Sequence, residues 1–160
     1  YRNKSALLDV ILERQKNNLI DQRFRVPPVD MFASAGEFDA ANYLIEGATR
    51  FFGRTDQATL LTWRMLMISQ YRYAAARSTV EEQLLNAPQR FFIALLENMQ
   101  AAGRIAAHLD CRSAGRILAA LFFDYSFRAN LKAAWDEESD EDFSRLKEDV
   151  RSIAEWLQAG

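Results

Sequence analysis

The sequence predicts an all-α fold. Apolar residues recur at helical spacing along most of the chain, and no segment shows the apolar and polar alternation of a half-buried strand. Glycine and proline are scarce, with 6 and 3 among 160 residues. We expect about six helices in an orthogonal bundle, with the last two forming a four-helix bundle with those of a second chain. The 49% of hydrophobic residues is enough for a substantial core.

The first predicted helix runs from Asn3 to about Ile20, before the helix-terminating pair Pro27 and Pro28. Residues 23–38 then form a long connection. Connections of this length are often functional or mobile. A partly ordered crossover with one turn of helix is the simpler expectation.

The second predicted helix starts with Asp39 as its N-cap and ends at Gly53. The third begins after Thr55 or Asp56 and reaches about Ala75. Its centre, residues 63–68, is apolar on nearly every side, which is typical of a helix enclosed by others.

The fourth predicted helix opens with two overlapping capping boxes, because Ser78 and Thr79 are each followed three residues later by glutamate. It ends at Gly103. Pro88 should kink this helix or divide it in two.

The fifth and sixth predicted helices favour a homodimer. Between Ile117 and Phe127 the only charged residue is Asp124, so apolar residues cover almost the whole circumference. Residues 143–157 place apolar side chains at steps of 3, 4, 3 and 4, as in a coiled-coil seam. Packing within one chain explains part of this pattern. The predicted interface comprises Ile117, Leu121, Phe143, Leu146, Val150, Ile153 and Leu157.

The charge distribution argues against appreciable DNA binding by these residues. The net charge is −2, although residues 1–25 carry six basic and three acidic side chains. Charged residues interrupt every apolar block, so we expect no membrane partner. The single cysteine, Cys111, cannot form an internal disulfide, which favours the cytoplasm.

Residues able to carry catalysis or bind a metal are few. His108, Asp110 and Cys111 lie close together in sequence, but no second histidine or cysteine could complete a metal site. The lone histidine also leaves no nucleophile triad, and no nucleophile elbow is present. The acidic run at 136–142 is better interpreted as the start of the last helix than as a calcium loop. We therefore expect no enzyme, no metal and no cofactor.

Aromatic residues and methionines at helical spacing could line an apolar pocket, although plain core is the commoner meaning of such a pattern. Arg64 lies in the most apolar run of the chain. Its guanidinium either forms a salt bridge or reaches solvent, or it anchors an anionic or carbonyl-bearing ligand. Asn98 and the phenol of Tyr125 are further candidate polar contacts. The candidate ligand-binding residues are Trp63, Arg64, Met67, Tyr71, Phe92, Leu95, Asn98, Met99, Phe122 and Tyr125.

Three stretches resemble the TetR/AcrR family of bacterial transcriptional regulators. Residues 1–8 have the spacing aromatic-x-x-Lys-x-x-Leu-Leu, which is similar to the exit of that family's helix-turn-helix domain. Residues 91–118 resemble its penultimate long helices, where a glycine followed by an apolar residue breaks the chain. Residues 153–160 resemble its usual C-terminus.

The resemblance implies a homodimeric repressor that releases operator DNA when it binds a small, largely apolar effector. Residues 1–22 would connect a missing helix-turn-helix domain to an effector-binding and dimerisation domain at 23–160. Tyr1 and Lys4 would lie near DNA. The alternative is a helical dimerisation or interaction module that binds no small molecule.

Overall fold

The fold is all-α, as predicted. The computed structural model describes residues 3, 6–7, 9–12, 25–34, 36, 38–52, 57–133 and 140–159, and these contain no strand. Residues 6–7 and 9–12 are helical. The helices that follow are α1 (Val29–Ser34), α2 (Ala40–Phe52), α3 (Gln57–Ser69), α4 (Ala74–Val80), a π-helical segment (Glu81–Asn86), α5 (Ala87–Ala101), α6 (Cys111–Ala133) and α7 (Asp140–Gln158).

The chain forms two compact units. The first unit comprises residues 1–25 and 55–88, and the second unit comprises residues 26–54 and 89–160. Residues 55–88 thus belong with the N-terminal segment, whereas the sequence interpretation grouped them with everything after residue 22. Tyr1 and Lys4, the predicted DNA-proximal residues, lie outside the described residues.

Local capping signals define several helix ends. One carboxylate oxygen of Asp39 accepts a hydrogen bond from the backbone N–H of Asn42, so Asp39 caps α2 as predicted. The long connection contains one short helix, α1, in keeping with the simpler expectation. Gly103 ends α5 with φ of 69°. The N–H of Gly103 donates to the carbonyl of Gln100, and the N–H of Arg104 donates to the carbonyl of Met99. This is a Schellman arrangement, which satisfies two terminal carbonyls of the helix.

The third and fourth predicted helices have different bounds in the structure. Helix α3 ends at Ser69, and α4 begins at Ala74 after a turn. The predicted capping boxes at Ser78 and Thr79 are wrong, because both residues lie inside α4. The hydroxyl of Thr79 donates to the carbonyl of Ala75 at 2.9 Å, the alternative that threonine finds within a helix.

Pro88 coincides with a change of helix type. The N–H of Ala87 donates to the carbonyl of Glu82, five residues back, within the π-helical segment. Because proline has no N–H and its ring crowds the carbonyl four residues before it, an α-helix cannot continue unchanged there. The wider π turn accommodates the proline without ending the helix.

Candidate functional site

Helices α6 and α7 of the second unit pack as an antiparallel pair. The hydroxyl of Tyr125 on α6 donates to a carboxylate oxygen of Asp149 on α7 at 2.7 Å. Near the start of α6, the N–H of Ala106 donates to the carbonyl of Leu157 at 3.0 Å. The C-terminal end of α7 therefore lies beside the N-terminal end of α6.

One side of α6 exposes large apolar side chains. Ile117 is 52% exposed and Leu131 is 51% exposed. At 100° per residue, the five members of this surface fall within an arc of about 80°. We call them the α6 face: Ile117, Ala120, Asp124, Phe127 and Leu131. Asp124 pairs with Arg128, with 2.8 Å between its Oδ2 and the arginine Nε.

The predicted seam on α7 packs inside its own chain. Leu146, Val150 and Leu157 are fully buried in the core of the second unit. The apolar stripe is covered by α2 and α6 of the same chain, which both pack on α7. These three residues offer no surface to a partner, which corrects their assignment to an interface. Leu121, Phe143 and Ile153 are half-buried against the same core.

Five predicted ligand-binding residues meet in the second unit. Phe92, Leu95, Met99, Phe122 and Tyr125 are buried in one apolar core, and the ring centroids of Phe92 and Phe122 lie 4.8 Å apart.

The polar candidates in the second unit have structural partners. The side-chain amide of Asn98 donates to the carbonyl of Pro27 at 2.8 Å, tying α5 to the segment before α1. Burial and the hydrogen bond to Asp149 raise the pKa of Tyr125 to about 12, which keeps the phenol protonated. Both groups therefore stabilise the fold.

The other predicted ligand-binding residues belong to the first unit. Trp63 and Met67 are half-buried against its core, and Arg64 is half-buried with an interaction of its own. Tyr71 is 86% exposed, so its assignment to an interior site is wrong. It lies in the turn that follows α3, where helical spacing no longer applies.

The cluster at 108–111 has a structural explanation. Asp110 caps α6 by accepting hydrogen bonds from the N–H groups of Arg112 and Ser113 and from the Ser113 hydroxyl. The hydrogen bonds from Ser113 lower the pKa of Asp110. Burial raises the pKa of the Cys111 thiol, which makes it a poor nucleophile. The described residues contain no group of three or more potential metal ligands.

Two polar residues that the sequence pattern did not indicate, Arg104 and Gln83, are notable in the structure. Arg104 donates to the carbonyls of Phe32, Ala33 and Gly36, and so closes the C-terminal end of α1. Gln83 is buried, and its Oε1 has no hydrogen-bond partner among the described residues. The sequence signal for this burial is spacing, because Gln83 falls on the same side of its helix as Ala76 and Val80.

Among the described helices, none is long and apolar enough to cross a membrane. In comparisons with protein families, curated proteins and solved structures, nothing matches this chain.

Proposed function

We propose that this chain is the sensing and dimerising part of a one-component transcriptional repressor similar to the TetR/AcrR family. The α6 face supports this proposal most directly. A second copy of the chain would cover it, and a small, largely apolar effector would bind within the fold and cause release of operator DNA. A helix-turn-helix domain outside these 160 residues would make the operator contacts, in the cytoplasm.

The composition of the α6 face suits a two-fold interface. It spans 15 residues of one helix, with about 21 Å between the first and the last, and has apolar side chains at both ends. In a two-fold dimer the same surface occurs on both sides of the interface. Each copy would bring the acid Asp124, halfway along the face, and the base Arg128 beside it, so the two charged pairs are self-complementary.

A single charge on the α6 face should dissociate such a dimer. We expect light scattering of the unaltered chain to give twice the chain mass of 18.4 kDa. Ile117→Asp should give a monomer, since a carboxylate buried without a partner opposes association. The matched control is Leu61→Asp, at an α3 position that is 55% exposed and off the α6 face. It should remain dimeric.

Two results would count against dimerisation through this surface. One is a monomeric unaltered chain at micromolar concentration. The other is an Ile117→Asp variant that stays dimeric. Circular dichroism should show the same helix content for both variants, because both positions are exposed.

A helical interaction module without a small-molecule ligand is the second candidate. The close packing of Phe92 and Phe122, and the structural roles of Asn98 and Tyr125, favour it. Benzene titrated into methyl-labelled protein tests it at the Met99 methyl group, which lies in that core. An unchanged resonance argues against a ligand site in the second unit, whereas a saturable shift favours one there and counts against the module.

A further inference from the structure

The first unit contains a buried amide oxygen in apolar surroundings. Gln83 is 5% exposed, and its Oε1 is enclosed with no hydrogen-bond partner among the described residues. A buried acceptor without a donor is costly, so native structures rarely keep one without a reason.

Gln83 lies on the buried side of its helix. It continues a buried stripe after Ala76 and Val80, which belong to the apolar core of the first unit. The nearest polar group one turn back along the helix is the Thr79 hydroxyl. That hydroxyl already donates to the carbonyl of Ala75. No described side chain donates a hydrogen bond to Oε1 of Gln83.

The backbone at this position is also unusual. Gln83 lies within the π-helical segment Glu81–Asn86, and such segments occur frequently at functional sites. The core that contains Ala76 and Val80 also has large apolar side chains that are only half-buried, among them Trp63 and Met67 of α3. They leave apolar surface that a small molecule can cover.

We propose that the first unit binds a small, mostly apolar, neutral molecule that carries one hydroxyl or N–H donor. The donor group hydrogen-bonds to Oε1 of Gln83, and the apolar part covers Trp63 and Met67. A neutral donor suits a neutral amide oxygen in apolar surroundings, where an unpaired ammonium would be expensive to bury. This inference rests on the proposed effector-sensing function and specifies the effector's chemistry and its anchor.

Two aromatic probes that differ in one hydrogen-bond donor test the proposal. Calorimetric titration compares 1-naphthol, which has a hydroxyl, with 1-methoxynaphthalene, which has none. We expect the unaltered chain to bind 1-naphthol about tenfold more tightly, the factor typical of one buried hydrogen bond. Gln83→Met keeps the side chain's length and removes the acceptor, so it should reduce this preference to about one. Gln158→Met, at an exposed position on α7, should leave it unchanged.

Three results would overturn the proposal. The first is failure of 1-naphthol to bind the unaltered chain, and the second is equal binding of the two probes. The third is a Gln83→Met variant that unfolds more easily in urea, because that loss would show that the amide has a partner within the protein. The expected variant is at least as stable as the unaltered chain. Light scattering reports separately on the α6 face, so a monomeric chain that retains the naphthol preference refutes only the proposed dimer.

Discussion

Replacing Gly115 by alanine should destabilise the protein, although alanine is the better helix former. Gly115 lies in α6 where that helix meets α5. An added Cβ atom would lie 2.7 Å from both the backbone nitrogen and the Cγ1 of Ile93, and 2.9 Å from its Cα. Carbon atoms normally pack at about 3.5 to 4 Å, so the two helices would have to separate. Two of the three close atoms are backbone, which cannot change rotamer to relieve the contact.

The magnitude is a balance of two effects. Overpacking of this kind costs about 1 to 3 kcal/mol. Alanine in place of a helical glycine returns about 0.5 to 1 kcal/mol. For Gly115→Ala we expect a net loss of about 1 kcal/mol in the free energy of unfolding, within a range of about 0 to 2.5 kcal/mol. Gly47 on α2 is the matched control, since nothing lies within 4 Å of its added Cβ. Gly47→Ala should therefore stabilise the protein by about 0.5 to 1 kcal/mol.

Urea unfolding followed by circular dichroism at 222 nm measures both variants, and thermal unfolding provides an independent check. For a chain of this size, 1 kcal/mol corresponds to about 2 to 4 °C in Tm. The two variants should shift in opposite directions. A Gly115→Ala protein as stable as Gly47→Ala would show that α5 and α6 are not held at this separation, and would refute the close-packing explanation.

Two further predictions concern polar contacts of the second unit. Arg104→Ala should lower the free energy of unfolding by about 1 to 3 kcal/mol, because three carbonyls at the end of α1 lose a charged donor. Arg104→Lys should restore little of the lost stability, since lysine lacks the planar guanidinium with its several donors. Urea unfolding measures both variants, and Arg112→Ala, at an exposed position, is the control. Tyr125 favours its neutral form in the folded state, with a pKa raised from 10.0 to about 12. Its contribution to stability is complete below pH 10 and is lost as pH rises towards 12, so Tyr125→Phe should unfold with less pH dependence over that interval. An equally steep decline for the variant would assign the effect to other groups.

The helix ends that sequence predicts best are those with a local signal. Asp39 and Gly103 mark their helix ends because a carboxylate cap and a left-handed glycine act within a few residues of themselves. The capping-box prediction at Ser78 and Thr79 is wrong for a related reason. A hydroxyl followed by a glutamate is compatible with a helix start, yet the same hydroxyl can donate to a carbonyl four residues back inside a helix. Nothing local at these two positions decides between the two, and the preceding turn at 70–72 places the helix start at Ala74.

The candidate sites depend on contacts that periodicity does not specify. A stripe at steps of 3 and 4 shows which side of a helix is apolar, but it does not show what covers that side. The stripe on α7 is covered by its own chain, as the full burial of Val150 demonstrates. The sequence did not indicate Gln83 as a site. A polar residue within an apolar stripe becomes informative only when its burial and its missing hydrogen-bond donor are known.

The contacts around α6 locate the surplus apolar surface on that helix. One side of α6 packs on α5 at Gly115, another reaches α7 through Tyr125, and Leu118 points into the core. The α6 face is the arc that remains, and it begins at Ile117. Substitutions in the seam, such as Val150→Asp, would unfold the chain and so could not reveal whether it dimerises. Only a change on the exposed arc separates folding from association, which is why Ile117→Asp can test the dimer while leaving the fold intact.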